Sequence, residues 1–138
     1  MLLRAFALTT LLAAASSPLV AQQNISDPSA TRPLSAWIAD LQASSPETRH
    51  DAAYNMAWMG PAAAPAVPAL VTALERPDEV AVVLYAIEVA LREIGPPANA
   101  ALPALDQMLD DPNDDVAFMA KKAIKAIKTP APADSTSH

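Results

Sequence analysis

Few side chains in this sequence have the types and spacing that catalysis needs. It has two histidines, His50 and His138, and no cysteine. His50 precedes Asp51, and such a pair can act as an acid and a base, but neighbouring helix positions do not face each other. We therefore interpret His50 as a solvent-facing helix residue. Without cysteine, thiolate zinc sites, iron–sulfur clusters and cysteine nucleophiles are excluded. We predict a protein that is not an enzyme, with no catalytic residue, metal or cofactor.

Two charged clusters lie at opposite ends of the last predicted helix. The first is a group of aspartates, Asp110, Asp111, Asp114 and Asp115. Several carboxylates can bind calcium, but the loop glycine of such a site is missing, and acidic residues at a helix start also compensate the helix dipole. The second cluster is Lys121, Lys122, Lys125 and Lys128. A basic last turn compensates the dipole as well, and a polyanion site is the alternative interpretation.

Residues 1–21 have the three-part pattern of a secretory signal peptide. Arg4 gives a positive start, residues 5–15 are apolar, and small residues lead to Ala21. We expect cleavage after Ala21 and a periplasmic or extracellular protein without stable membrane insertion. An uncleaved anchor is the alternative, although the apolar run is about half of the roughly 20 residues that a span needs. Loss of Arg4 makes the chain, whose formal net charge is −6, still more acidic, which disfavours nucleic-acid binding.

The rest of the sequence divides into three predicted segments. Residues 22–33 are polar and are predicted to be a flexible leader, and residues 129–138 are predicted to be a disordered tail. Between them, residues 34–128 show apolar side chains at helical spacing. The first apolar stripe is Leu34, Trp37, Ile38 and Leu41.

Capping residues and prolines mark where the helices begin and end. Ser45 is the predicted N-cap of a second helix, with Pro46 in its first position, and Gly60 followed by Pro61 ends that helix. Gly95 ends a later helix in the same way. The later apolar stripes are Val67, Leu70, Val71 and Leu74, then Val80, Val83, Leu84, Ile87, Leu91 and Ile94, then Leu102, Leu105 and Leu109, and finally Val116, Ala120, Ala123, Ile124 and Ile127.

An internal repeat connects these helices. Gly60-Pro61 corresponds to Gly95-Pro96 at an offset of 35 residues, and Pro68-Ala69-Leu70 corresponds to Pro103-Ala104-Leu105 at the same offset. A period of this length is typical of stacked units that bury their apolar faces against each other.

At these residues the chain resembles the HEAT-repeat family, and within it the short repeats named for phycobilisome lyases. The matching features are Val67 to Leu70, the break at Arg76-Pro77-Asp78, and Ile94-Gly95-Pro96. The resemblance covers roughly residues 34–128. It implies an all-α fold, a short right-handed, armadillo-like α-solenoid of about three HEAT-like helix pairs. The third pair has Lys128 where the closing glycine is expected, which suits a terminal repeat.

The repeat also aligns the second helix of each pair. In this alignment His50, Tyr85 and Phe118 share one position, and Ala53, Glu88 and Lys121 share an equivalent position on the next turn. In the resembled family these helices line the concave side, which is the usual binding surface. An aromatic row beside mixed charge suits protein recognition, and the alternative is that Tyr85 and Phe118 only cover the edge of the core. Trp37 is predicted in the core and Trp58 partly exposed. The predicted protein-binding face is His50, Tyr54, Tyr85, Glu88, Arg92, Phe118, Lys121 and Lys125.

Three hypotheses for function follow. The first is an exported, non-enzymatic module that binds an unknown protein partner on this face. The second, implied by the resemblance, is an accessory factor of a lyase-like cofactor-attachment system, which the signal peptide argues against. The third is a self-assembling homo-oligomeric unit that uses the end of the stack near Leu34 and Trp37.

Overall fold

The computed structural model describes residues 32–129, and these form helices without strands. The predicted signal peptide (1–21), almost all of the leader (22–33) and almost all of the tail (129–138) lie outside the described residues. The six α-helices within residues 32–129 are α1 (Leu34–Asp40), α2 (Pro46–Met59), α3 (Val67–Leu74), α4 (Ala81–Ile94), α5 (Leu102–Met108) and α6 (Asp114–Lys128).

The helices form three consecutive pairs, α1–α2, α3–α4 and α5–α6. The second helices of the pairs pack side by side, with α4 between α2 and α6. Two 3-10 helices, Gly60–Ala66 and Pro96–Ala101, lead into α3 and α5. This arrangement confirms the predicted all-α solenoid of about three helix pairs.

Local capping chemistry sets the starts of two second helices. The Ser45 hydroxyl accepts a hydrogen bond from the Thr48 N–H at 3.4 Å, and Pro46 occupies the first position of α2, as predicted. The Asn113 side chain accepts the N–H groups of Asp115 and Val116 at the start of α6. Each cap satisfies backbone donors that have no partner within the helix.

Gly60 and Gly95 end α2 and α4 in a backbone conformation that side chains disfavour. Their φ angles are 56° and 73°, with ψ near −135° and −143°. This region is almost restricted to glycine. The chain therefore changes direction at these two points, and the prolines that follow lie in the first turn of each 3-10 helix.

The core is a single cluster of aliphatic side chains between the two layers of helices. Its largest fully buried members include Met56, Leu70, Ile87, Leu91 and Leu105. Most of the predicted apolar stripes contribute to this cluster. Two stripe members do not: Val80 is the exposed N-cap of α4, and Leu109, the C-cap residue of α5, is 41% exposed.

The first helix offers less apolar surface than the self-assembly hypothesis assumed. Trp37 is buried in the core, as predicted, and Leu34 is partly buried against it. The Arg32 guanidinium lies 4.2 Å from the centre of the Trp37 ring and covers it further. The expected adhesive patch at this end is therefore mostly covered within the described residues.

One helical run in the described residues, Pro46–Leu74, is long and apolar enough to cross a membrane by length and composition. It consists of α2, the first 3-10 helix and α3, and the direction of the chain changes at Gly60. Core helices of folded domains pass the same test, so this run is weak evidence for a membrane span.

Candidate protein-interaction surface

The exposed sides of α2, α4 and α6 together form one surface, which we call the second-helix face. Exposed apolar and aromatic side chains concentrate there: of the large exposed hydrophobic residues in the described part of the chain, only Leu109 lies elsewhere. Folded monomers seldom place such side chains together without a partner. The large exposed side chains of the face are Tyr54, Trp58, Val80, Val82, Tyr85 and Phe118.

Three aromatic side chains follow one line along α2. His50, Tyr54 and Trp58 are spaced four residues apart, so they lie one above another on the same side of the helix. The rings of His50 and Tyr54 are stacked with their centres 6.0 Å apart, and those of Tyr54 and Trp58 are edge-to-face at 6.2 Å and 74°. Trp58 is 72% exposed, which is unusual for a side chain of this size.

Two pockets lie between α2 and α4 beside this aromatic line, one near the C-terminal ends of the two helices and one near their N-terminal ends. We call them the lower and the upper part of the groove between α2 and α4. Its lower part has a volume of about 250 Å³ and is lined by Tyr54, Ala57, Trp58, Val89 and Glu93. Its upper part has a volume of about 360 Å³ and is lined by Pro46, Glu47, His50, Asp51, Val80 and Val82. A second, smaller groove of about 240 Å³ lies between α4 and α6 and is lined by Ala81, Val82, Tyr85, Asn113, Asp115 and Val116.

The charged residues that line these grooves are acidic. Glu47 and Asp51 line the upper part of the first groove, and Glu93 lines the lower part. The Ser45 hydroxyl donates a hydrogen bond to Glu47 and lowers the pKa of its carboxyl group, which keeps it ionised. Arg92 donates two hydrogen bonds to one carboxylate oxygen of Glu93. The groove between α2 and α4 therefore combines aromatic surface with negative charge.

The structure exposes most of the residues predicted for the binding face. Tyr54, Tyr85 and Phe118 lie on the second-helix face, and His50 is half-buried beside Tyr54. The repeat register placed His50, Tyr85 and Phe118 at one level, and all three retain accessible surface. Lys122 adds a cation near this set, with its ammonium 4.9 Å from the centre of the Phe118 ring.

The predicted basic residues lie at the C-terminal halves of α4 and α6. Arg92 is partly exposed and pairs with Glu93, and Lys121 and Lys125 are exposed on α6. None of these three lines the groove between α2 and α4. The structure thus brings Tyr54 together with the acidic Glu93, whereas Phe118 lies beside the basic Lys122.

Glu88 does not belong to the accessible face, contrary to the prediction. It is fully buried, and neither of its carboxylate oxygens has a hydrogen-bond partner. Burial raises the pKa of this carboxyl group to about 8, and the nearby charge of Asp111 adds to the effect. The alignment of the repeats gave Glu88 and Lys121 equivalent positions, but α4 is packed between α2 and α6. Because α6 is the last described helix, Lys121 is exposed.

The pair His50–Asp51 is closer than expected from helix geometry. The Nδ1 atom of His50 lies 3.3 Å from a carboxylate oxygen of Asp51, although the two residues are adjacent. Both side chains are accessible, and no group of three metal-ligating residues was found among the described residues. Both residues line the upper part of the groove between α2 and α4.

Sequence reasoning missed a buried ion pair that connects consecutive repeats. Arg49 of α2 forms two 2.7 Å hydrogen bonds with the carboxylate of Glu79, which precedes α4. It also donates to the backbone carbonyl groups of Ala43 and Ser44. Glu79 raises the pKa of Arg49 by this pairing. The only sequence signal was Arg49 before Ala52-Ala53, within the opening of a second helix.

Residues of the face that were also missing from the predicted set include Trp58, Val82 and Glu93. The spacing of His50, Tyr54 and Trp58 contained the signal for Trp58, since three aromatic residues four apart share one helix side. Val82 and Glu93 are ordinary helix residues in isolation. Only the packing of α4 beside α2 places them at the groove.

A family model for HEAT repeats matches residues 34–125, which is most of the described part of the chain. No curated protein matches the chain. The match is to HEAT repeats in general, so the resemblance to the lyase variety stays a prediction.

Proposed function

We propose, from the premise that this chain belongs to the HEAT-repeat family, that it is an exported, non-enzymatic module that binds a protein partner through the second-helix face. HEAT repeats generally mediate protein–protein interaction, and the family is typically non-catalytic. Export is inferred from residues 1–21, whose sequence pattern is that of a signal peptide.

The single observation that carries this proposal is the concentration of exposed aromatic side chains on the second helices. Trp58, Tyr85 and Phe118 expose 72%, 44% and 56% of their surface on this face. Exposed tryptophan and tyrosine side chains are the residue types that contribute most to protein interfaces. Their position on three successive helices would give a partner an extended contact area.

The test is in-cell crosslinking of the affinity-tagged full chain in its source organism, followed by identification of the captured proteins. The variant Trp58→Ala with Tyr85→Ala removes two aromatic side chains from the face. The matched control is Leu109→Ser, which removes the exposed apolar side chain that lies off it. We expect a partner that the control retains and the double variant loses. Capture that is equal in all three proteins would overturn the proposed face.

Cell fractionation of the same tagged chain tests export. We expect the chain outside the cytoplasm and shortened at its N-terminus. A full-length chain in the cytoplasm would contradict export and leave the binding face to be judged by the crosslinking result alone.

A further inference from the structure

The lower part of the groove between α2 and α4 has the features of a site for an organic cation. Tyr54 and Trp58 meet edge-to-face, with an angle of 74° between their rings, and so form a corner beside the groove. The carboxylate of Glu93 lines the same pocket from α4. Ammonium and guanidinium groups bind to the faces of tryptophan and tyrosine rings, and a nearby carboxylate adds charge attraction.

The upper part of the groove also combines apolar side chains with carboxylates. Val89 and Ala57 give the lower part apolar walls, and Val82 and Pro46 do so in the upper part. Glu47 and Asp51 place two more carboxylates in the upper part. A segment that alternates cationic and apolar side chains would match both the walls and the charges of this groove.

We infer that the groove between α2 and α4 binds a cationic segment of the partner protein, with one lysine or arginine side chain seated between Tyr54, Trp58 and Glu93. The inference rests on the proposed function and names the chemistry of the partner. The basic residues Lys121, Lys125 and Lys128 lie on α6 and do not line this groove.

The neighbouring Arg92 would compete with an incoming cation for the carboxylate of Glu93. Its guanidinium already donates to Glu93, so it shares the carboxylate that an incoming cation would use. Replacing Arg92 with glutamine removes a competing positive charge without removing the carboxylate. Replacing Glu93 with glutamine removes the carboxylate charge. Arg92→Gln should therefore strengthen the binding of a cationic peptide and Glu93→Gln should weaken it. A general loss of structure would weaken binding in both variants.

The experiment is an NMR titration of the full chain with three short synthetic peptides. The first alternates lysine and leucine, the second alternates glutamate and leucine, and the third alternates lysine and serine. The two tryptophan indole N–H signals report binding: Trp58 lies at the site, and buried Trp37 serves as an internal control. Thermal unfolding followed by circular dichroism checks that each variant is folded.

We expect the lysine–leucine peptide to shift the Trp58 signal and not that of Trp37. The glutamate–leucine peptide should cause no shift, and the lysine–serine peptide should bind more weakly. Glu93→Gln and Tyr54→Ala should each weaken binding about fivefold, the effect of one exposed cation–π or ion-pair contact. Arg92→Gln should tighten binding about twofold to fivefold.

Several results would overturn the inference. One is equal binding of the glutamate and lysine peptides, and another is binding that Glu93→Gln and Arg92→Gln change in the same direction. A third is no shift of Trp58 with any peptide. If a partner is captured in cells and lost from the Trp58→Ala, Tyr85→Ala variant, the proposed function survives each of these results and only the cationic chemistry fails.

Discussion

At the scale of single residues, the carboxyl group of Glu88 couples the stability of the fold to pH. Its pKa is raised from 4.5 to about 8 in the folded protein, so between these values the folded state holds a proton that the unfolded state has released. The free energy of unfolding should therefore be unaffected by this group below pH 4.5. It should fall by up to about 1.4 kcal/mol per pH unit towards pH 8 and level off above.

The measurement is urea unfolding of the wild type and Glu88→Gln at several pH values from 4.5 to 9. Glutamine has the same shape and cannot ionise, so the difference in stability should grow in favour of the variant as pH rises. Glu75→Gln, at an exposed site, is the matched control and should follow the wild type. A wild type and Glu88→Gln with parallel pH profiles would show that Glu88 is not the titrating group.

The ion pair of Arg49 and Glu79 is the second residue-scale feature with a large predicted effect. Both side chains are almost completely buried, and four hydrogen bonds hold the guanidinium. Glu79→Ala would leave a buried positive charge without its partner, which costs about 3–5 kcal/mol of unfolding free energy. Breaking the exposed pair by Glu93→Gln should cost less than about 1 kcal/mol.

Urea unfolding at neutral pH compares these variants. The double variant Arg49→Met, Glu79→Met should be less destabilised than the sum of the single changes, because no buried charge remains. Equal losses for Glu79→Ala and Glu93→Gln would mean that burial does not strengthen the first pair.

At the scale of elements, the two helix-ending glycines should have equivalent roles in consecutive repeats. A Cβ atom at Gly95 would meet nothing within 4 Å, and one at Gly60 would lie 3.7 Å from the Glu93 carbonyl oxygen, an ordinary contact. The cost of Gly95→Ala or Gly60→Ala therefore comes from the backbone conformation alone, about 1–3 kcal/mol. Chemical denaturation should give similar losses for both variants, and a loss at only one would point to a contact rather than to the backbone.

The same elements show what could be predicted from the sequence. Ser45 acts through its hydroxyl group on the next turn of chain, and Pro46, Gly60 and Gly95 act through their own backbone conformation. Helix ends that depend on these local effects were therefore predicted correctly. The two 3-10 helices were not predicted, because prolines within them are compatible with several turns. Leu109 fitted the spacing of its stripe, but it is the C-cap residue of α5 and is 41% exposed, because packing rather than spacing decides whether such a position is covered.

For the candidate face too, some features could be predicted from the sequence and others depend on packing between helices. The alignment of the repeats can be read from the sequence, and it predicted that His50, Tyr85 and Phe118 occupy equivalent, accessible positions on successive second helices. Whether a position is covered depends on which neighbour packs there, and this placed Glu88 in the core. The groove itself depends on side chains from two helices, so the meeting of Trp58 with Glu93 had no signal in either segment alone.

At the scale of the whole molecule, we expect the central helix α4 to make the repeats unfold together. It is packed against α2 on one side and α6 on the other, and Ile87, Leu91 and Glu88 are fully buried in these contacts. A repeat array is stabilised by the interfaces between neighbours, and three pairs are near the minimum for such an array. Loss of either terminal pair would expose the apolar surface of α4, so partly unfolded states should not be populated.

We therefore expect one cooperative transition with the same midpoint in every repeat. In a chain with Trp58→Phe, the remaining Trp37 reports on the first pair. In a second chain, with Trp37→Phe, Trp58→Phe and Phe118→Trp, the introduced tryptophan reports on the third pair. For each chain, its tryptophan fluorescence and its helix content by circular dichroism should give coincident urea curves. In one of the chains, the fluorescence transition could instead occur at a lower urea concentration than the circular dichroism transition. That result would show that the terminal pair carrying the tryptophan unfolds separately, while α4 remains folded with its other neighbour.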